Sequence, residues 1–270
     1  IDESFLPTVY ESSQSIGCIK EAIADALGLS SDTKIIIGAG DNAASAMGTG
    51  TVNDGDATFL SAHREPFLSA RKNITVTGKM QFTPFALQTE NTITFLHADG
   101  GKQSEMGIED ILKTSYDYEK EAEKYMGKSD VLFFAYLMGE RSPVNDTSAR
   151  GMFTGLSMHT KREEMSLAVL EIAFSLKENI EIINTQGVSN QKQKICGGGT
   201  KKQTGLKLIA TILNVQLEIP SFEDAGALAP AARRKGNENN VSNNFYSIKE
   251  TIIPDKTFTQ FYENKYKEYL

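Results

Sequence analysis

Two short stretches carry the side chains best suited to chemistry. The first is Gly38-Ala39-Gly40-Asp41-Asn42, set between the β-branched run Ile35–Ile37 and the small-residue run Ala43–Ala46. The run predicts a buried strand, the glycines a sharp turn, and the alanines a slim helix that packs close to its neighbour. A carboxylate at the carboxyl end of a strand is where open α/β sheets place ligand chemistry, and a positioned carboxylate can take a proton from a hydroxyl. The same pattern also describes an aspartate that does no more than cap the helix. The second stretch is Lys194-Ile195-Cys196-Gly197-Gly198-Gly199-Thr200-Lys201, a short strand running into three glycines and then a helix. Free N–H groups at such a turn suit a nucleotide or another anion.

A third cluster follows the apolar run Val131–Leu137. Met138-Gly139-Glu140-Arg141-Ser142-Pro143-Val144-Asn145-Asp146, with Arg150 beyond it, gathers Glu140, Arg141, Asp146 and Arg150 on a proline-stiffened loop. Such a set suits a cleft-lining network of charges, or a loop that satisfies its own charges.

The rest of the chain narrows the classes. The 270 residues are 40% hydrophobic and 23% charged, enough for one large or two modest domains with a packed core. A formal charge of −7 gives no basic footprint for nucleic acid. Cys18 and Cys196 lie far apart, and His63, His97 and His159 have no ligand spacing, so no metal site is expected from them. Two isolated thiols fit the reducing cytoplasm, and no apolar run reaches transmembrane length. The chain opens Ile1-Asp2-Glu3-Ser4, with neither a start methionine nor a signal peptide, and reads as cut from something longer.

Periodicity supplies the elements that must hold these residues. A helix is predicted over Ile19–Leu29, ending near Gly28. Short strands are predicted at Ala57–Leu60, Ile74–Thr77, Met80–Phe85 and Thr92–Leu96, forming an antiparallel meander. A helix is expected over Ile108–Met126 and a central strand over Val131–Leu137. Thr160 and Glu163 predict a capping box, followed by one apolar stripe from Met165 to Ile183. Leu206–Leu213 reads as a helix, Val215–Ile219 as a strand, Tyr246–Ile253 as a late edge strand and Phe258–Tyr269 as a terminal helix.

Gly38-Ala39-Gly40-Asp41-Asn42-Ala43-Ala44 resembles the catalytic-acid segment of the FGGY carbohydrate kinases, and the Asp-Asn pair resembles the xylulokinase branch. Gly139-Glu140-Arg141-Ser142-Pro143, the Asn145-Asp146 pair, and Gly151-Met152-Phe153-Thr154-Gly155-Leu156 with the helix to Glu171 are similar to further family segments, in order. So is Gly197-Gly198-Gly199-Thr200, which resembles the adenosine-binding turn. The resemblance covers nearly the whole chain. It implies an α/β, actin-like and ribonuclease H-like fold, a mixed sheet flanked by helices. Residues 1–54 would be the end of a first lobe and residues 55–270 the nucleotide-binding lobe. It implies ATP and Mg2+, a small sugar as acceptor, and conversion of D-xylulose to D-xylulose 5-phosphate. Asp41 would be the general base, Asp41 and Asn42 would meet the sugar, and Gly197, Gly198, Gly199 and Thr200 would hold the nucleotide. A cytoplasmic enzyme without nucleic-acid or membrane partners follows, with a homodimer left open.

Several positions depart from the family. Ala62-His63-Arg64-Glu65 stands where a Gly-Thr phosphate turn is usual, which leaves Arg64 as a phosphate partner or the segment as an exposed hairpin tip. Ala225 and Ala229 replace glycines, Pro230 interrupts a helix, and the glycine usual after Glu171 is missing. These changes keep a second reading open: a nucleotide-binding or interaction module without catalysis, truncated or degenerate. All but the tail of the family's first lobe, with most of its sugar-binding residues, is absent, so the chain alone is expected to be inactive. The fold expectation is specific: a five-stranded mixed sheet with helices on both faces and with Val131–Leu137 beside Lys194–Cys196.

Overall fold

The computed structural model describes residues 5–51, 56–60, 65–71, 83–86, 92–98, 107–113, 118–140, 144, 146–184, 192–222 and 247–270. The expectations on 63–64, 74–77, 141–143 and 224–244 lie outside these residues.

The chain begins with β1 (Ser15–Cys18), α1 (Glu21–Leu27) and β2 (Lys34–Ile36). Gly28 closes α1 at φ 65, a left-handed position that glycine occupies without a Cβ clash. The two strands pair antiparallel as a separate sheet. Here the expectation of a buried strand is corrected, because Ile35, Ile36 and Ile37 are 42%, 47% and 44% exposed. Branched side chains favour an extended backbone, but burial needs a second layer. The two hydrophobic clusters described below contain no residue before Ala57.

After α2 (Asp41–Gly48) come β3 (Ala57–Leu60), β4 (Glu65–Arg71), β5 (Thr83–Ala86) and β6 (Thr92–Ala98). Later segments add β9 (Lys192–Cys196), β10 (Gln216–Pro220) and β11 (Ile248–Ile252) to the same sheet. Its seven strands lie in the order β11-β10-β9-β3-β4-β6-β5. β3, β9 and β10 run parallel, and the other pairings are antiparallel. The sheet has seven strands rather than the expected five, and the expected neighbour of β9, the run at 131–137, is not among them. β4 lies outside the expected strands, and β6 sits between β4 and β5, so the chain does not follow a simple meander.

The apolar run at 131–137 is the clearest correction. Only Leu132–Phe134 is extended, as β7, and it pairs with β8 (Met152–Thr154) in a sheet of its own, away from β9. It is continuously apolar because two cores share it. Leu132, with Phe134 packed against it, joins the main cluster, whereas Val131, Phe133 and Ala135 join a second cluster with Ile108, Ala168 and Val169. An alternating backbone buried on both sides needs apolar residues at every position, whether or not it lies in the main sheet.

The main cluster unites β3, α3 (Tyr118–Glu123), α4 (Arg162–Leu170), α5 (Ala173–Asn184), β9, α6 (Gln203–Leu213), β10 and α7 (Thr259–Tyr269). The helix expected over 108–126 is two pieces, a wide π-type turn at Gly107–Ile111 and α3, with Lys113 at φ 48 between them. The single stripe from Met165 to Ile183 is also two helices, broken at Glu171. The capping box lies one residue later than expected: Lys161 precedes the helix and donates its N–H to Glu164 Oε1 at 3.1 Å. Thr160 Oγ1 accepts from the Ser157 N–H instead.

Along β3, side chains alternate between the faces of the sheet. Ala57 and Phe59 enter the main cluster. Thr58 is fully buried and joined by its hydroxyl to Thr49 and Thr51, just past the end of α2. Helices therefore cover one face and the end of α2 the other.

Candidate active site

β9 delivers the glycine stretch at the carboxyl end of a parallel strand. Gly197 sits at φ 105, a backbone region that favours glycine, and Gly198–Lys201 forms one 3₁₀ turn. The turn is closed from within, since both the Thr200 N–H (3.2 Å) and the Thr200 hydroxyl (2.8 Å) donate to the Gly197 carbonyl. Thr200 thus shapes the turn and keeps only hydroxyl lone pairs to offer a ligand. The helix beyond, α6, starts at Gln203, after the 3₁₀ turn rather than directly after the glycines.

This turn opens onto a cavity of ≈ 290 Å³ between the ends of β9 and β10. Gly197, Thr200 and Lys201 line one side, and Phe222, Lys249 and Glu250 another. The half-buried Phe222 offers an aromatic face, Glu250 an acceptor and the exposed lysines positive charge. Gln203 Nε2 lies 3.3 Å from both Glu250 carboxylate oxygens and joins the two sides. Sequence reasoning found the glycines but not Phe222, Lys249 or Glu250. The available signal was Pro220, which ends a strand, with an aromatic residue two positions on.

Asp41 is the first residue of α2, with Gly40 at the N-cap position. The expectation that it is no more than the cap is therefore displaced by one residue. Its Oδ1 accepts the Asn42 N–H at 2.7 Å and its side chain is exposed, with the carboxylate at the positive end of the helix. Asn42 is half-buried. An exposed carboxylate at a helix N-terminus is open to an incoming hydroxyl.

The charged loop after β7 largely satisfies itself. Asp146 Oδ1 accepts from the Ser148 N–H (2.7 Å) and hydroxyl (2.6 Å), and these bonds hold its carboxyl below the usual range. Arg150 donates to the carbonyls of Thr147 and Ala149 at 3.1 and 2.7 Å. Glu140 is buried and its backbone pairs with that of Asp146. Among the described residues no three His, Cys, Asp or Glu side chains converge as a metal site, and no helix is long and apolar enough to cross a membrane.

Residues 59–231 match the model of the FGGY family of carbohydrate kinases, C-terminal domain. The chain belongs to this family. A xylulose kinase of Lactococcus lactis subsp. lactis is 29% identical over 99% of the chain and 56% of its own length. Among solved structures, a xyloylose kinase from Brucella ovis superposes with a TM-score of 0.87 at 26% identity, over 99% of the chain and 57% of its own. A ligand-bound xylulose kinase from Lactobacillus acidophilus superposes at 0.90, with 22% identity, over 100% and 57%. The FGGY chain thus has the actin-like fold of these kinases and spans a little over half the length of these relatives. The match to their C-terminal domain covers the sheet strands β4 to β10, including the glycine turn.

Proposed function

We propose that the chain is the nucleotide-handling part of an ATP-dependent pentulose kinase that converts D-xylulose to D-xylulose 5-phosphate. Residues 1–54 close the first lobe and residues 55–270 form the second. The observation that carries this reading is the glycine turn opening into the ≈ 290 Å³ cavity at the ends of two parallel strands, in a chain of the FGGY family.

In this reading the adenosine part of ATP enters beside Phe222, with Gly197, Gly198 and Gly199 allowing close approach and Lys201 and Lys249 contributing charge. Thr200 holds the turn in shape. Asp41 accepts the proton of the sugar hydroxyl as that oxygen attacks the terminal phosphorus, whose bond to the bridging oxygen breaks to release ADP, and Asn42 helps to hold the sugar. Phosphoryl transfer needs chiefly positioning and charge neutralisation. Mg2+ bound with the triphosphate would offset its charge.

A second reading, a nucleotide-binding module without turnover, is favoured by Ala62-His63-Arg64 in place of a phosphate-binding Gly-Thr turn. Titration with ADP, followed by backbone amide resonances, tests the feature common to both. Gly197–Thr200 should move first. Saturating ADP that leaves these amides unmoved in the folded protein would remove both readings. Phosphorylation of xylulose by the protein as its gene encodes it separates them.

A further inference from the structure

Lys194 lies on β9, three residues before Gly197, on the face of the sheet opposite the main cluster. It is paired in register with Thr58 on β3 and Glu218 on β10. Its ammonium crosses to the end of α2 and donates to the Thr49 carbonyl at 2.8 Å and the Gly50 carbonyl at 3.1 Å. These carbonyls belong to the helix end, where the backbone lacks partners of its own and the dipole is negative. Thr49, Thr51 and Thr58 pack beside it, all fully buried, with their hydroxyls bonded to one another at 3.1, 2.5 and 3.0 Å. Burial depresses the Lys194 pKa, against the pull of Asp56 and Glu218. At the other end of the same helix, about 12 Å away at 1.5 Å per residue, stands Asp41.

We propose that Lys194 is a positioning residue that ties the nucleotide turn to the helix carrying Asp41 by clamping the carbonyls at that helix's far end. The inference rests on the reading of Asp41 and the glycine turn given above. β9 carries the turn directly, so a shift that accompanies nucleotide binding at Gly197 reaches Thr49 and Gly50 through the Lys194 ammonium, beside the weaker route through β3 and the Thr58 hydroxyl. α2 has eight residues and moves as a short rod, which passes the shift to Asp41. A neutral side chain of similar length fills the same space but holds neither carbonyl.

The test uses the protein as its gene encodes it, as wild type, Lys194→Met and Lys194→Arg. Amide hydrogen exchange is measured with and without saturating ADP, alongside kcat and the KM for ATP. In the wild type, ADP should slow exchange at Gly197–Thr200 and also across residues 44–51. Lys194→Met should keep the first effect and lose the second, and should lower kcat about 5–150-fold, the usual range of a coupling between sites. Its KM for ATP should change less than about threefold, because the glycine turn is intact. Lys194→Arg should restore both the exchange effect and most of kcat. A merely structural role would lower stability in Lys194→Met while leaving ADP-dependent slowing at 44–51 in place, and that result overturns the proposal. Slowing at Gly197–Thr200 without any at 44–51 in the wild type also overturns it and spares the nucleotide reading. No slowing at either segment removes the nucleotide reading and the inference together. Should Lys194→Met fail to fold, Lys194→Leu, which likewise carries no donor for the two carbonyls, replaces it with the same outcomes.

Discussion

Asp41 shows how little a residue's neighbours in sequence decide about its role. Gly-Asp-Asn before a run of alanines marks a helix start, and the structure places Asp41 on the first turn, one residue past the cap. There the carboxylate gains from the helix dipole and accepts the Asn42 N–H, and it lies open to solvent. Asparagine at position 41 retains an oxygen for that bond. Asp41→Asn should therefore change the unfolding free energy by less than ~1 kcal/mol, and Asp41→Ala should cost about 0.3–1 kcal/mol, as expected for a first-turn acid. Urea unfolding of both variants gives these values. A loss of several kcal/mol in Asp41→Asn would mean that the carboxylate has a buried structural partner.

At the scale of elements, α7 is held by polar ties as well as by its apolar face. Lys265 and Glu171 form an ion pair at 2.5 Å with both side chains buried, and Lys265 also donates to the Ser129 carbonyl at 2.8 Å. Lys177 reaches Glu263 at 2.5 Å, Tyr266 donates to Glu181 at 3.0 Å, and Tyr269 meets the Tyr136 hydroxyl at 2.8 Å. The ion pair sits at the break between α4 and α5, so the missing glycine after Glu171 and the anchoring of the last helix belong to one place. Burial pushes the Glu171 carboxyl up while Lys265 pulls it back. Lys265→Met leaves a buried carboxylate alone and should cost about 3–5 kcal/mol in urea unfolding, whereas replacing both partners with apolar residues should cost far less. Equal losses in the single and double variants would show that packing, not charge, holds α7.

The same helix sets an alkaline limit. Burial, aided by nearby carboxylates on Tyr262 and Tyr266 and by Tyr136 on Tyr269, raises the pKa of all three hydroxyls above the ordinary value. The folded state then holds protons that the unfolded chain releases near pH ~10. Their contribution is complete below that pH and is lost as pH rises above it. Lys194, whose pKa is lowered by burial, acts in the opposite sense, adding stability as pH climbs toward its ordinary value. Burial raises the Tyr136 hydroxyl as well, so four groups oppose one; stability should fall between pH 10 and 11, and Tyr262→Phe should soften the fall. Stability that rises over this interval would contradict the burial of these hydroxyls.

For the whole molecule, the sequence was informative where an element's pattern has one physical cause. Ala57–Leu60 was read at its observed bounds because a short β-branched and aromatic run between polar segments has few alternatives. The turn after β9 was legible because three glycines after a short strand break it, and Gly197 adopts a positive φ there. The apolar run at 131–137 was misread because continuous burial has two causes, a central strand or a segment shared by two cores, and composition does not separate them. Ile35–Ile37 was misread as buried because branching reports the backbone and not the layer above it. Phe222, Lys249 and Glu250 were missed because the fold brings them to the cavity from two strands 26 or more residues apart in the chain.

The central claim is that this chain serves phosphoryl transfer from ATP to a sugar with Asp41 as the base. It is tested most directly by the turnover of D-xylulose with Mg-ATP, comparing wild type and Asp41→Asn in the protein as its gene encodes it, with folded protein quantified for each. Formation of ADP that depends on xylulose is expected in the wild type. The variant should have a kcat lower by ~10²–10⁴-fold, the usual contribution of a general base. Equal turnover in the two proteins, or a wild type that binds ADP at Gly197–Thr200 yet forms no sugar phosphate, would contradict it.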